Sequence, residues 1–249
     1  MDFAYNDGTT TVTANYVEIA QVSGTYEISN WPVVSTCDPS QSTGDPIYDS
    51  AYSIAAAPNN FDTCIVWAAN QYNWDKVLLK AQIGYESNYN WQAANYNNGC
   101  SNGWGSYSLM QVSPCYYPWF GQMNGVLNLD TNQGDSNWGY SAYNPLYSAW
   151  GGVKILASDY SQVQNDGNTN GNFWGCSTNQ YIYLALADYN QGNYALQKEV
   201  TNCVLNSGTG GYNYVNKILN TDTATGGPYS TLCSHISGCT DPYTGFPNS

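Results

Sequence analysis

Glu86 closes the apolar run Leu78-Leu79-Lys80-Ala81-Gln82-Ile83-Gly84-Tyr85. A carboxyl at the end of such a run is costly to bury, so it is either satisfied by a partner or kept protonated. A carboxyl that stays protonated near neutral pH is a general acid, able to hand a proton to a leaving oxygen. Between Asp75 and Asp130 it is the sole acidic residue, so its own helix and the loop beyond supply no paired carboxylate. Other chemistries have less to work with. The lone histidine, His235, lies in the tail between two cysteines, and no carboxylate cluster accompanies it. Neither a metal site nor a Ser-His triad is expected, and no cofactor is implied.

Glu86 depends on helices to place it. Asp62 stands where it can cap a helix through Ile65, Val66, Ala68 and Ala69; Asn73 can cap the next, whose apolar positions are Val77, Leu78, Ala81, Ile83 and Tyr85. Gly84 weakens the last turn and leaves room for a close approach beside Glu86. Residues 88–107 form a long loop rich in Asn, Gly, Tyr and Trp, a kind that is often functional in a compact domain. Asn144-Pro145 starts another helix, running over 147–160 through Val153, Ile155, Leu156 and Ala157. Further helices are predicted over 178–189, 193–205 and 212–220. Upstream, partial alternation around Ser23-Gly24 predicts extended segments or a hairpin, and prolines between 32 and 60 mark a linker. The expected division is an N-terminal extended arm and linker at 1–58, a catalytic domain at 59–220 and an irregular C-terminal tail at 221–249. The fold class is mainly α (α+β).

At 249 residues and 42% hydrophobic composition the chain can bury a sizeable core. Charged residues make up 9%, with five lysines, no arginine and a net charge of -13. A phosphate-binding surface needs basic patches, so nucleic acid is not an expected partner. No apolar run approaches the roughly 20 residues that span a bilayer, so no membrane partner is expected, and a monomer is. The eight cysteines are spread without close pairs and read as a disulfide framework, which implies an oxidising, extracellular location for a secreted chain. Proximity favours Cys100 with Cys115 and Cys233 with Cys239. The first residues lack a secretory-signal pattern, so the numbering is expected to start on a mature chain.

Three segments together, Glu86-Ser87, Gly105-Ser106-Tyr107-Ser108-Leu109-Met110-Gln111-Val112 and Ala187-Asp188-Tyr189-Asn190-Gln191-Gly192, resemble in order and spacing the motifs of the lytic transglycosylase and goose-type lysozyme superfamily. The resemblance covers about residues 62–220. It implies a lysozyme-like helical domain, disulfide-stabilised here, that cleaves the β-1,4 bond between N-acetylmuramic acid and N-acetylglucosamine. The expected partner is therefore peptidoglycan or a related β-1,4-linked N-acetylhexosamine polymer. By the same resemblance Glu86 is the catalytic acid; Ser87, Ser108, Leu109, Met110 and Gln111 line or support the cleft; Tyr189 and Asn190 position the acid or the substrate. Ser148-Ala149-Trp150-Gly151-Gly152-Val153-Lys154-Ile155-Leu156 echoes a fourth family segment. Ser108 in place of glycine and Asp188 in place of alanine depart from the pattern.

Sugar rings stack on aromatics, and 24 Tyr with 9 Trp supply platforms, of which Trp91, Trp104, Tyr107, Tyr116, Tyr117 and Trp119 flank the motifs. Taken singly, about two-thirds of these are expected to be packing residues. The missing neighbouring acid favours the route of lytic transglycosylases, in which the substrate's own N-acetyl group assists and a 1,6-anhydro end is left. Asp188, Asp130 and Asp135 are the candidates for a second acid that would convert this to hydrolysis. A chitin-cleaving enzyme on the same fold and an inactive glycan-binding wall protein are the remaining alternatives. A sequence pI near 4.1 predicts a low pH optimum, because repulsion from anionic walls fades there.

Overall fold

The computed structural model describes residues 19–22, 25–28, 61–97, 100–132, 137–167, 171–219, 228–234, 239–240 and 242–243. Strands β1 (Ile19–Val22) and β2 (Thr25–Ile28) pair antiparallel, as the expected hairpin requires, while Ser23 and Gly24 lie outside the described residues. The catalytic acid expected at Glu86 belongs to a mainly helical assembly: α1 (Asp62–Gln71), α2 (Lys76–Ser87), α3 (Pro145–Asp166), α4 (Thr178–Gln191), α5 (Asn193–Glu199), α6 (Gly210–Leu219) and α7 (Pro228–Ser234). Three two-residue antiparallel ladders punctuate them: β3 (Ala94–Asn95) with β4 (Ser106–Tyr107), β5 (Gln122–Met123) with β6 (Val126–Leu127), and β7 (Val200–Thr201) with β8 (Val204–Leu205).

Helix α3 is the centre, packed on α1 and α4, while α6 closes on α4 and α2. Its start follows the sequence: the Asn144 side chain accepts from the Tyr147 amide at 3.1 Å and Pro145 takes the first helical position. Ser177 and Gln180 form a capping box on α4. Two predicted caps are corrected. The residue before α1 is Phe61, which makes no capping bond, and Asp62 instead turns its carboxylate to Lys80 Nζ at 2.7 Å, both groups fully buried. Helix α2 is capped by Asp75, which accepts from the Val77 and Leu78 amides at 2.8 and 3.2 Å, while Asn73 takes a left-handed turn.

The helix predicted over 193–205 stops at Glu199, and the chain continues as the β7–β8 hairpin, tied to Cys176 through Cys203. The tail is less irregular than the sequence suggested: α7 packs on α2, the Tyr229 hydroxyl donates to Asp75 Oδ2 at 3.1 Å, and Tyr229, Leu232 and Tyr243 join the core. The expected disulfides Cys100–Cys115 and Cys233–Cys239 are formed, and Cys64 is also disulfide-bonded.

Candidate active site

Leu78, Leu79 and Ile83 on α2 are fully buried, each contributing about 1.5–3 kcal/mol by burial. That face fixes the helix, and Glu86 in its last turn emerges half-buried. The Tyr214 hydroxyl, on α6, donates to Glu86 Oε1 at 2.5 Å, and Gln82 Nε2 donates in turn to the Tyr214 oxygen at 2.9 Å. Burial pushes the Glu86 carboxyl up to about 7, with the Tyr214 hydrogen bond pulling the other way. The space beside Gly84 is taken by the protein itself: a Cβ there would lie 2.7 Å from the Tyr89 hydroxyl.

The second motif forms a tight turn after β4. Ser108 and Gln111 both have positive φ, +61° and +50°. A glycine would adopt such a backbone freely, which accounts for the family preference at Ser108; serine pays about 1 kcal/mol for it. The turn is held by its own side chains. Gln111 Nε2 donates to the Ser108 carbonyl at 2.8 Å and the Ala93 carbonyl at 3.3 Å, and Ser108 Oγ donates to the Tyr143 carbonyl at 3.3 Å. Met110 is clamped at three points. Its amide donates to Ser148 Oγ at 3.0 Å, its carbonyl accepts from the Tyr189 hydroxyl at 2.6 Å, and its side chain fills the space over Gly152, where a Cβ would come 2.5 Å from Met110 Cε. The echoed fourth segment on α3 is thus the seat of this turn.

These elements enclose a cleft of about 540 Å³. Glu86 lines it together with Asn95, Ser106, Gln111, Val112, Ser113, Tyr116, Tyr117 and the α4 end from Asp188 to Gly192. Of the residues proposed from sequence, Gln111, Asp188, Tyr189 and Asn190 meet Glu86 there. Ser108, Leu109 and Met110 lie beneath it as core, and Ser87 turns its hydroxyl back to the Ile83 carbonyl at 3.2 Å. Tyr107 is buried edge-on to Tyr96 and Tyr143 and so has no free face to stack a sugar, while Trp104 is half-buried and not among the residues lining this cleft. Trp91 and Trp119 pack on Trp138 and Trp150, which leaves Tyr116 and Tyr117 as the cleft aromatics of that group. Asp130 is not among the residues lining the cleft, and its carboxylate accepts from the Asn132 amide at 2.8 Å and its carbonyl from Ser141 Oγ. Asp135 lies outside the described residues.

Asp188 is 4% exposed. The Asn193 side chain donates to the neighbouring Asp166 carboxylate at 2.7 Å, and Asp188 Oδ2 is buried without a hydrogen-bond partner. Burial pushes the group up to about 6, with the charge of Asp166 adding to the effect. Asp159 on α3 also has a buried, unpartnered Oδ2 and is pushed up to about 8 by burial and by Asp188. Tyr189 is raised well above its ordinary value by burial, with Glu86 and Tyr117 adding. The direct partner of Glu86, Tyr214, escaped the sequence reading because a tyrosine within a short apolar helix carries no local mark of a distant contact. Among the described residues no group of three His, Cys, Asp or Glu side chains could hold a metal ion.

No curated protein and no solved structure matches the chain. Residues 63–203, more than half of it, match the family described as Transglycosylase SLT domain. With an acid at the end of α2, a clamped Ser108–Gln111 turn below it and the α4 terminus opposite, the chain belongs to the SLT transglycosylase family, whose members are lytic transglycosylases of peptidoglycan.

Proposed function

We propose that the chain is a secreted, monomeric lytic transglycosylase that cuts the MurNAc-GlcNAc β-1,4 bond with Glu86 as its single acid and base. The observation that carries this reading is a cleft carboxyl held near neutrality by burial and steadied by Tyr214. Protonated Glu86 donates to the glycosidic oxygen as the bond from muramic C1 breaks, and the carbonyl oxygen of the same sugar's N-acetyl group closes on C1. The Glu86 carboxylate then takes the proton of the C6 hydroxyl while O6 attacks C1 and the N-acetyl oxygen departs. A 1,6-anhydro end results and Glu86 is again protonated. Asn190 offers its amide to the strand, Gln111, whose Nε2 holds the turn below, offers its oxygen, and Tyr116, 60% exposed, offers a ring face. The oxidised cysteines support secretion.

Hydrolysis is the second reading, because Asp188 shares the cleft. Against it, the Asp188 carboxyl is buried and its value is pushed up by desolvation, a poor setting for holding and activating water. Digestion of purified peptidoglycan, with product ends identified by mass, decides between them. Anhydro ends are expected throughout; reducing ends alone would establish the hydrolase. Glu86→Gln should abolish turnover while glycan binding persists, and wild type and Glu86→Gln equally inert on peptidoglycan and chitin would leave a glycan-binding protein.

A further inference from the structure

All five lysines of this arginine-free chain are placed. Lys80 is buried against Asp62, and Lys76 opens α2 at the end opposite Glu86. Lys154 lies over the Trp119 and Trp150 rings at 4.3 and 4.9 Å, Lys198 over Tyr194 at 3.7 Å, and Lys217 5.8 Å from the Tyr85 ring. None lines the cleft, whose two ionisable acids are Glu86 and Asp188. Beside Asp188, Asp166 adds negative charge.

Peptidoglycan strands differ in what they bring to such a site. A free stem carboxylate meets no countercharge here and is repelled by Asp188 across a partly desolvated cleft, where like charges interact far more strongly than in water. An amidated stem removes that repulsion. A free 2-ammonium group, on a sugar away from the cleaved bond, reverses its sign. The Asp188 oxygen without a partner, on a side chain only 4% exposed at the edge of the cleft, is an acceptor in need of a donor. We propose that Asp188 makes this cleft selective for aminosugar strands whose substituents are amidated or carry free ammonium groups, against strands that bear free carboxylates. This rests on the reading of the cleft as a glycan site.

The test uses the full chain carrying Glu86→Gln, which binds without turnover and removes the titration of Glu86. Dissociation constants are measured by calorimetry at pH about 6.8, where Asp188 is mostly ionised and a substantial share of the sugar amino groups stays protonated. The probes are soluble strands of equal length with free stem carboxylates, with amidated stems, or partly de-N-acetylated. The free-carboxylate strand should bind about tenfold more weakly than the amidated one, with the ammonium strand tightest. Adding Asp188→Asn, an isosteric change checked by its melting curve, should shrink the gap to about twofold or less. In the Glu86→Gln protein, raising salt should also narrow the gap, a readout independent of the Asp188 variant. Equal affinities, or a gap that survives both Asp188→Asn and salt, would overturn the proposal. Wild-type cleavage of all strands without discrimination would overturn it while leaving the transglycosylase reading intact; failure to bind or cleave any strand would overturn both.

Discussion

Tyr214→Phe removes one oxygen atom and tests how the acid is tuned. The hydroxyl donates to Glu86 Oε1 at 2.5 Å and is what holds the Glu86 carboxyl below the value that burial alone would set. A hydrogen bond to a charged group contributes about 1.5–3 kcal/mol. The protonated acid keeps part of that bond, so the lower figure is the appropriate one. At 1.36 kcal/mol per unit it raises the carboxyl by about one unit, from about 7 to roughly 8. Activity needs Glu86 protonated, so the alkaline limb of kcat/KM should move up by about one unit. At pH 8 the protonated fraction rises from about one-tenth to one-half, a roughly fivefold gain relative to each enzyme's own acid plateau. The plateau itself should fall, because the carboxyl is less firmly aimed. Gln82 Nε2 loses its acceptor in the core, which costs about 1–3 kcal/mol of stability. The assay is the pH–rate profile on solubilised peptidoglycan, paired with carbon NMR titration of the Glu86 carboxyl. An alkaline limb that stays in place, or moves down, in a folded Tyr214→Phe protein would refute the reasoning.

Glu86, Asp188 and Asp159 all have folded-state values raised above the ordinary carboxylate range, to about 7, 6 and 8. Each therefore contributes stability that is complete below about pH 4 and is lost as pH climbs through 6 to 8. Tm should fall by several degrees between pH about 5 and 9, and Asp159→Asn should flatten the decline; a Tm that rises across this window would contradict the linkage. Lys80→Met leaves Asp62 buried without its cation and should cost about 3–5 kcal/mol in urea unfolding, with Asp62→Leu in the same chain restoring most of the loss. If the single variant melts like wild type, the pair carries no such role. Gly152→Ala places a Cβ 2.5 Å from Met110 Cε and should cost about 1–3 kcal/mol, with a loss of activity as the Met110 carbonyl is driven against Tyr189. Unchanged stability together with unchanged turnover would show that Met110 repacks freely.

Chemistry in this chain was more legible than mechanical support. Glu86 stood out by residue type and place, the resemblance to the family's motifs pointed to Gln111, Tyr189 and Asn190, and the structure puts all four on the lining of one cleft. Helices with strong local signals, such as the Asn144-Pro145 start of α3, were also readable. What escaped depends on distant pairs. Asp62 looked like a cap because its own neighbours allow one, yet Lys80, eighteen positions on, is its ion-pair partner. Tyr107 looked like a sugar platform because Asn and Gly surround it in sequence, whereas Tyr96 and Tyr143 enclose it in space. Helix α7 was hidden by the Gly and Pro residues around it, and the contacts on α2 that hold it lie some 150 positions away.

The family match ends at residue 203, and the hydroxyl that touches the acid belongs to residue 214. A protein trimmed to the matched span would keep Glu86, the Ser108–Gln111 turn and Tyr189, but lose the clamp on its proton. It would also lose Tyr229, which tethers the capping Asp75 at the other end of α2. The matched span thus supplies the reagent, and in this chain the segment after it sets the reagent's strength. In this chain the working pH can be moved through α6 alone, without altering a residue that lines the cleft.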